Sequence, residues 1–319
     1  MTRAGALRIG TRASALALWQ ARHVAALIAQ QNGAPAVELV HISTEGDVRT
    51  DVPLWTVGGK AFFTKEIDRA LLAREIDVAV HSLKDLATLL EPGTALAAVL
   101  AREDPRDALV SRGGEELHEL PPGARVGSSS LRRRAFLAHA RPDLTVAELR
   151  GNVPTRIERL QSGAYEAIIL ATAGLKRLGL EGHITCQLAV KEFPPAVSQG
   201  AIGVCVRTDD EHAGRWVAAL DDHAARLTTT AERALLASVE AGCQVPLGAL
   251  ATLVGQDLHL HVSVCALDGS SMLTVEGAEP ALLTNAARLG QRLAHELLAK
   301  GARQLIAAVR DVDNAVAAP

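Results

Sequence analysis

The sequence predicts an open-sheet α/β fold over roughly its first two-thirds, followed by a smaller α+β domain. The first observation is that short β-like runs alternate with helical patterns there, which is typical of open α/β sheets. The second is that this pattern changes after about residue 222, where a helix before Cys243 is followed by a polar/apolar alternation at 259–266 that is typical of an antiparallel strand. The third is the length of 319 residues, which suits two or three domains.

Short apolar runs predict the strands of the open sheets. The first strand is expected at Leu7–Gly10, and the helix after it has an apolar stripe through Leu16, Val24 and Ile28. The later strands are predicted at 37–42, 77–81, 125–127, 167–170 and 201–206.

A helix is predicted just before Cys243, so that its thiol would lie in a loop past the helix end. Thr229 and Glu232 match a capping box at the start of this helix. Gly242 suits the residue that closes a helix, and Pro246 prevents the helix from resuming. For an isolated cysteine, the ordinary interpretation is a small buried side chain, and the helix pattern alone leaves that alternative open.

The last part of the chain predicts a strand at 259–266, a hairpin turn at Asp268-Gly269 and a helix across roughly 280–300. These elements complete the small α+β domain.

Composition excludes several classes of function. Four cysteines without paired spacing indicate a reducing compartment, so we expect a cytoplasmic protein. We find no apolar run typical of a secretory signal or of a membrane span. The net charge of −3 and the aromatic content of 3% disfavour nucleic-acid binding. No Cys or His pair has the spacing of zinc ligands, so no metal is expected.

Basic residues are concentrated where predicted strands end or helices begin. In α/β sheets ligands bind at the carboxyl ends of strands. The serine run Ser128-Ser129-Ser130 precedes a helix, whose first N–H groups favour an anion. Arginine forks add charge-assisted donors. We therefore expect a polyanionic ligand, a polycarboxylate or phosphate, although a solvated arginine face is the alternative for any single residue. The basic residues are Arg12, Lys60, Lys84, Arg132, Arg133, Arg134, Arg150, Arg156 and Arg177.

Asp85 is a carboxylate among these cations, and two interpretations stay open. It could stabilise a cation that forms during a reaction. It could equally form a structural ion pair with a neighbouring arginine. His81, on the same predicted strand, is expected to be a core or hydrogen-bonding residue rather than a catalytic one.

With these residues in place, the chain closely resembles the porphobilinogen deaminase (hydroxymethylbilane synthase) family almost from end to end. Any one motif is a weak signal, but their order and spacing together are specific. The motifs are Thr11–Gln20, Gly58-Gly59-Lys60, Val80-His81-Ser82-Leu83-Lys84-Asp85, Glu103–Asp107, Gly127–Arg133, Leu149–Val153, Ala173–Gly179 and the Cys243 segment.

The resemblance implies a fold of two hinged α/β domains like those of periplasmic binding proteins, with a small third domain that carries the cysteine. The implied domains are residues 1–99 with 200–219, residues 100–199, and residues 220–319. The return of the chain to the first domain near residue 200 comes from the resemblance alone.

The resemblance also implies a reaction. Four porphobilinogen molecules are joined head to tail with release of ammonia, and water releases linear hydroxymethylbilane. The chain grows on a dipyrromethane primer bonded through a thioether to the cysteine that matches Cys243. A thiolate is a strong nucleophile toward an electron-poor carbon such as an azafulvene. Each pyrrole carries an acetate and a propionate, which identifies the polyanionic ligand.

Site residues follow from the matched positions. Asp85 matches the catalytic carboxylate, which would stabilise positive charge and assist proton transfer. Lys60 and Phe63 lie in a segment that resembles the family's mobile loop. The residues matched to the cofactor are Cys243, Lys84, Asp85, Ser128, Ser129, Ser130, Arg132 and Arg133. Those matched to the substrate are Arg12, Ser14, Lys60, Phe63, Arg150, Arg156, Arg177 and Gln199.

The chain departs from the family pattern at several positions. Thr56 stands where a lysine is frequent, and Ala241 and Ser198 each replace a usual glycine. Leu86-Ala87 stands where a Val-Pro pair is more usual, and Ser128 replaces a common threonine. None removes a charged residue assigned to chemistry, but the departures affect loop mobility and fine geometry.

The leading interpretation is an enzyme that acts on porphobilinogen as a monomer, without a nucleic-acid or membrane partner. The rival interpretation is a non-catalytic protein that closes two α/β domains on a small anion. A nucleic-acid binder that uses Arg132-Arg133-Arg134 is a weaker third interpretation, and strongly salt-dependent DNA binding would support it.

Overall fold

The computed structural model describes residues 5–44, 64–239 and 245–306. Its strands are β1 Leu7–Thr11, β2 Val37–His41, β3 Val78–Ser82, β4 Thr94–Val99, β5 Asp107–Ser111, β6 Arg125–Gly127, β7 Thr145–Ala147, β8 Ala167–Ala171, β9 Cys186–Gln187, β10 Ile202–Arg207, β11 Leu247–Val254, β12 Asp257–Cys265 and β13 Met272–Pro280. Its helices are α1 Ala15–Ala29, α2 Lys65–Leu72, α3 Leu131–Ala140, α4 Val153–Gln161, α5 Thr172–Arg177, α6 Glu211–Ala218, α7 His223–Ser238 and α8 Leu283–Ala299.

Two five-stranded sheets form the larger part of the fold. The first has the order β2-β1-β3-β10-β4, in which β1 pairs in parallel with β2 and β3, and β10 is antiparallel to both of its neighbours. The second has the order β7-β6-β8-β5-β9, in which β6 pairs in parallel with β7 and β8, and β5 is antiparallel to β8 and β9. Each sheet therefore has a parallel part whose carboxyl ends share one edge.

The third sheet is an antiparallel meander of β11, β12 and β13. Asp268 and Gly269 lie in the turn between β12 and β13, as predicted, and Gly269 has a φ of 75°. A Cβ at Gly269 would collide with the backbone of Ala138 and His139, so the turn packs directly on α3.

These sheets confirm the predicted fold class of mixed α/β architecture with a small C-terminal sheet domain. The predicted strands in the first two sheets agree with the observed ones to within about one residue, because buried strands are marked by local apolar runs. The strand predicted at 259–266 corresponds to β12, and the helix predicted at 280–300 corresponds to α8.

The chain forms two compact units. The first contains the described residues up to Glu103 together with Ala201–Arg226, and the second contains Asp104–Gly200 and the described residues from Leu227 onward. β10 lies in the first sheet between β3 and β4, so the chain returns to the first unit after the second sheet is complete. The three-domain boundaries implied by the family resemblance stay a prediction.

Each five-stranded sheet is covered on both faces, which explains its apolar strands. In the first unit, one apolar cluster contains Ile9 and Val24, and another contains Ile67 and Leu83. The small sheet packs one face against α7 and α8 and leaves alternate residues of β12 more exposed. Its alternating sequence is the expected signature of a one-sided sheet.

The predicted capping box at Thr229 and Glu232 is wrong. The helix α7 begins at His223, so both residues lie well inside it. The Glu232 carboxylate is fully buried and accepts hydrogen bonds from the N–H groups of Ser198 at 2.6 Å and Ala251 at 2.8 Å. Glu232 therefore joins α7 to the segment before β10 and to β11, a long-range role that has no local sequence signal.

Ser198 is held in an unfavourable backbone conformation. Its φ is 62°, and its buried hydroxyl has no hydrogen-bond partner in the described part of the chain. A left-handed conformation costs a residue with a Cβ about 1–2 kcal/mol, and replacing Ser198 with glycine would relieve this strain. The greater unfolded-state entropy of glycine offsets part of that stabilisation. We expect Ser198→Gly to raise the free energy of unfolding by about 1 kcal/mol in urea denaturation.

A matched control is Ser162→Gly, since Ser162 has an ordinary φ of −70°. That variant should lower the free energy of unfolding by a few tenths of a kcal/mol to about 1 kcal/mol. If Ser198→Gly also lowers stability, the backbone of Ser198 is not strained.

Candidate functional site

A cavity of about 80 Å³ lies at the carboxyl ends of β1 and β3 in the first unit. We call it the Asp85 cavity. Its polar lining brings several predicted site residues together with others that sequence reasoning did not select. These polar residues are Arg12, Ser14, Gln20, Thr64, His81, Ser82 and Asp85.

A short 3₁₀ turn, Leu83–Asp85, positions the Asp85 carboxylate directly after β3. Leu83 and Leu86 on either side are buried at 0% and 3% exposure, and the Leu83 N–H donates to the Ala201 carbonyl at 3.0 Å. Asp85 itself is half-buried. The turn is thus anchored by apolar residues while its carboxylate lines the cavity. Lys84, in the same turn, is half-buried and is not among the lining residues.

Two hydrogen bonds order other parts of the Asp85 cavity. The Gln20 amide donates from Nε2 to the Ser82 hydroxyl at 2.8 Å, which ties α1 to the end of β3. Ser14 is the N-cap of α1, and its hydroxyl accepts from the Ala17 N–H at 3.4 Å. The predicted substrate residues Arg12 and Ser14 therefore lie between β1 and the start of α1.

His81 is buried beside the cavity, as its assignment to the core predicted. Its Nε2 lies 4.0 Å from the Asp68 carboxylate, beyond hydrogen-bond distance. Burial lowers the pKa of His81 to about 4, and the charge of Arg12 adds to this effect. Burial also raises the pKa of Asp68 to about 6. Because both shifts favour neutral forms, we regard this contact as a buried polar pair and not as an ion pair.

A buried ionic cluster lies at the equivalent edge of the second unit's sheet. Asp107 begins β5 opposite Ala171, the last residue of β8, and is fully buried. Its two oxygens accept from Nη2 of Arg132 and Nη2 of Arg133, both at 2.7 Å. Gln199 Nε2 donates to the same carboxylate at 2.9 Å. We call these four residues the Asp107 cluster.

Both arginines are also held at their second terminal nitrogen, Nη1. Nη1 of Arg132 donates to the Pro194 carbonyl at 2.7 Å, and Nη1 of Arg133 donates to the Ile169 carbonyl at 2.9 Å. The exposed fractions of Arg132 and Arg133 are only 4% and 6%. The predicted cofactor residues Arg132 and Arg133 are therefore part of the protein interior.

The Asp107 cluster carries more positive than negative charge. Burial alone would raise the pKa of Asp107, but the two guanidinium charges outweigh it and hold that pKa well below its usual range. Burial lowers the pKa of Arg132, and the charge of Arg133 adds to this while Asp107 opposes it. In the described part of the chain the ion pairs of these arginines are with Asp107 alone, which leaves one excess positive charge.

The serine run surrounds the start of α3. Ser130 is the N-cap, and Ser128 and Ser129 are buried. The Ser129 hydroxyl donates to the Leu149 carbonyl, and the Ser128 hydroxyl accepts from the Ser130 N–H at 3.3 Å. The helix N-terminus adds its own partial positive charge to that of the Asp107 cluster.

Three predicted substrate residues in the second unit are half-buried, namely Arg150, Arg156 and Arg177. Arg150 follows β7, Arg156 donates from Nε to the Gly151 carbonyl at 2.7 Å, and Arg177 donates from Nη2 to the Gly200 carbonyl at 2.6 Å. Gln199, also predicted to bind substrate, is 1% exposed, and its Nε2 donates to Asp107.

Several predicted residues cannot be compared with the structure. Cys243, Lys60 and Phe63 lie outside the described residues, as do Thr56 and Ala241. Sequence reasoning quoted Asp107 only as part of a motif, and it assigned no role to Gln20 or Ser82. A carboxylate at the start of a strand is the signal that could have identified Asp107.

A larger cavity of about 480 Å³ lies at the opposite, amino-terminal edge of the first sheet. Its lining includes Arg8, Asp77 and Asp210 but no predicted site residue. Over the described residues, no group of three potential metal ligands is present. In the same part of the chain, no helix is both long and apolar enough to cross a membrane.

Comparison with known structures gives similarities at low sequence identity. The methionine-binding protein MetQ has a TM-score of 0.43 at 12% identity and covers 68% of this chain and 90% of its own. An arginine-specific periplasmic binding protein of Salmonella typhimurium has a TM-score of 0.37 at 14% identity, covering 68% and 91%. A putative sulfonate-binding protein, SsuA, of Methylobacillus flagellatus has a TM-score of 0.40 at 15% identity, covering 74% and 68%. TM-scores this low carry no argument about function.

Comparison with family models is decisive. Residues 7–215 match the family described as "Porphobilinogen deaminase, dipyromethane cofactor binding domain". Residues 226–299 match "Porphobilinogen deaminase, C-terminal domain". The two matches span nearly the whole chain. The chain therefore belongs to the porphobilinogen deaminase family, the hydroxymethylbilane synthases, which are transferases of tetrapyrrole biosynthesis with a dipyrromethane cofactor.

Proposed function

We propose that this protein joins four porphobilinogen molecules head to tail and releases linear hydroxymethylbilane. In each coupling the C–N bond of an aminomethyl group breaks, a C–C bond forms between two pyrroles, ammonia leaves and a ring proton is lost. One water releases the finished product. When bound, the dipyrromethane supplies the pyrrole from which the chain grows, and we propose Cys243 as its point of attachment.

The observation that carries this proposal is the excess positive charge of the Asp107 cluster. Nε of Arg132 and Nε of Arg133 are buried and have no hydrogen-bond partner in the described part of the chain. A buried unpaired charge is costly, and so is a buried donor without an acceptor. A carboxylate brought to the start of α3 would satisfy both, and acetate and propionate groups are the side chains that pyrroles of this pathway carry.

The residues of the second unit thus fit a cofactor that bears carboxylates. We propose that Ser128, Ser129, Ser130, Arg132 and Arg133 hold it together with Lys84. The half-buried arginines of the second unit suit the carboxylates of incoming substrate, and Arg156 and Arg177 each keep one guanidinium nitrogen tied to a backbone carbonyl. The proposed substrate residues are Arg12, Ser14, Lys60, Phe63, Arg150, Arg156, Arg177 and Gln199.

Asp85 is the proposed catalytic carboxylate. Departure of ammonia leaves positive charge on the substrate pyrrole, and a fixed carboxylate in a small, partly apolar cavity stabilises such charge more strongly than water does. Asp85 also suits removal of the ring proton. The neutral His81 behind the cavity does not add a competing positive charge.

The proposal is tested by incubating the purified protein with porphobilinogen and measuring ammonia and product together. We expect one ammonia for each porphobilinogen consumed and a linear tetrapyrrole as product. Calorimetry that finds stoichiometric porphobilinogen binding without ammonia release would instead favour the non-catalytic binding protein. Monomeric state and cytoplasmic location remain predictions, which rest on composition and on the family resemblance.

A further inference from the structure

Asp107 lies at the centre of a hydrogen-bond network that joins three segments of the second unit. Its Oδ2 accepts from Arg132, and its Oδ1 accepts from both Arg133 and Gln199. Gln199 Nε2 also donates to the Pro105 carbonyl at 2.8 Å. The carboxylate therefore orders α3, the start of β5 and the segment before β10 at one point.

The outer ends of the two guanidiniums are fixed as well. Because Arg132 is bound to Asp107 and the Pro194 carbonyl, and Arg133 to Asp107 and the Ile169 carbonyl, neither side chain can rotate without losing two hydrogen bonds. Pre-organised donors bind an anion better than mobile ones, since their ordering cost is met on folding.

A second carboxylate between two arginines provides an internal comparison. In the first unit, Asp77 pairs with Arg8 at 2.8 Å and with Arg207 at 3.3 Å. Arg207 also has a buried Nε without a partner, but it forms a further ion pair with Asp210. Two carboxylates thus balance two guanidiniums in this group, whereas the Asp107 cluster has one carboxylate for two. Among the described residues, the Asp107 cluster is therefore the one of these two groups in which guanidiniums outnumber carboxylates.

We propose that Asp107 is a positioning residue for the cofactor, one that fixes Arg132 and Arg133 so that a cofactor carboxylate completes their charge. This role rests on the proposed function of the same site. Asp107 itself does not contact the cofactor in this arrangement, because both of its oxygens are occupied by the protein.

The test compares Asp107→Asn with Asp77→Asn. Asparagine keeps the shape of aspartate but offers one acceptor oxygen and places an NH₂ group against a guanidinium. Because the two buried arginines lose their charged partner, we expect the fraction of protein that carries the cofactor to fall about tenfold or more. Asp77→Asn removes a similar ion pair at the amino-terminal edge of the first sheet. The fraction of this variant that carries the cofactor should equal that of the parent protein.

Loading is measured as the intact mass of each protein, before and after incubation with porphobilinogen, beside its thermal unfolding midpoint. Among loaded Asp107→Asn molecules, kcat should fall while KM for porphobilinogen stays within about twofold, since the half-buried substrate arginines keep their partners. A purely structural role would lower the unfolding midpoint and leave the loaded fraction and kcat of folded molecules unchanged, which would overturn the proposal.

If Asp107→Asn fails to fold, Gln199→Met tests the same proposal. It removes one donor to Asp107 without changing any charge, so we expect folded protein with a loaded fraction lowered about threefold or more. Full loading of Gln199→Met, or of folded Asp107→Asn, would contradict the positioning role. If the parent protein itself acquires no cofactor mass and releases no ammonia, the proposed function fails instead.

Discussion

Replacing Asp85 with asparagine is expected to lower the turnover of porphobilinogen by about three orders of magnitude while the fold stays intact. Fixed charge stabilisation contributes about 10²–10³-fold and proton transfer about 10²–10⁴-fold in enzymes, and the amide can supply neither. The fold should survive because the turn that carries Asp85 is anchored by Leu83 and Leu86, which the substitution does not touch.

The measurement is ammonia release under single-turnover conditions, with the thermal unfolding midpoint of the same preparation. Asp209→Asn is the matched control, because Asp209 is a surface carboxylate of the same unit, 63% exposed and paired with Arg74. Its turnover should equal that of the parent. If Asp85→Asn keeps turnover within about tenfold of the parent, Asp85 does not stabilise the cationic species.

Cys243→Ser is expected to abolish the covalent cofactor. The parent should show a mass excess of two porphobilinogen units less two ammonia, and the variant should show the mass of the unmodified chain. A serine hydroxyl cannot replace the thiolate, because its far higher pKa leaves almost no oxyanion at neutral pH. Intact mass spectrometry before and after addition of porphobilinogen measures this directly.

The other cysteines provide the control. Cys205 and Cys265 are buried, and burial raises the pKa of the Cys265 thiol to about 11. Cys186 is half-buried, and burial raises the pKa of its thiol as well. Because burial disfavours the thiolate of Cys186, Cys186→Ser should keep the full cofactor mass. A mass excess that persists in Cys243→Ser and disappears in Cys186→Ser would identify Cys186, and not Cys243, as the attachment point.

Much of the architecture could be predicted because its signals are local. Buried strands such as β8 are continuous apolar runs, β12 is an alternating one, and the Asp268-Gly269 turn is a two-residue pattern. The capping box predicted at Thr229 and Glu232 is wrong because it, too, rests on a local pattern alone. A local pattern was present, but burial of Glu232 against Ser198 and Ala251 used the carboxylate elsewhere.

The sequence by itself determined the fold class, the family and the set of basic residues at the ends of strands. Only the tertiary structure decided what each member of that set contacts, since burial and charge pairing depend on residues far apart in the chain. It separated the buried pair Arg132 and Arg133 from the half-buried arginines and revealed Asp107 as their shared partner. It also brought Arg12 and Asp85 to one cavity, because β1 and β3 are neighbours in the sheet though distant in sequence.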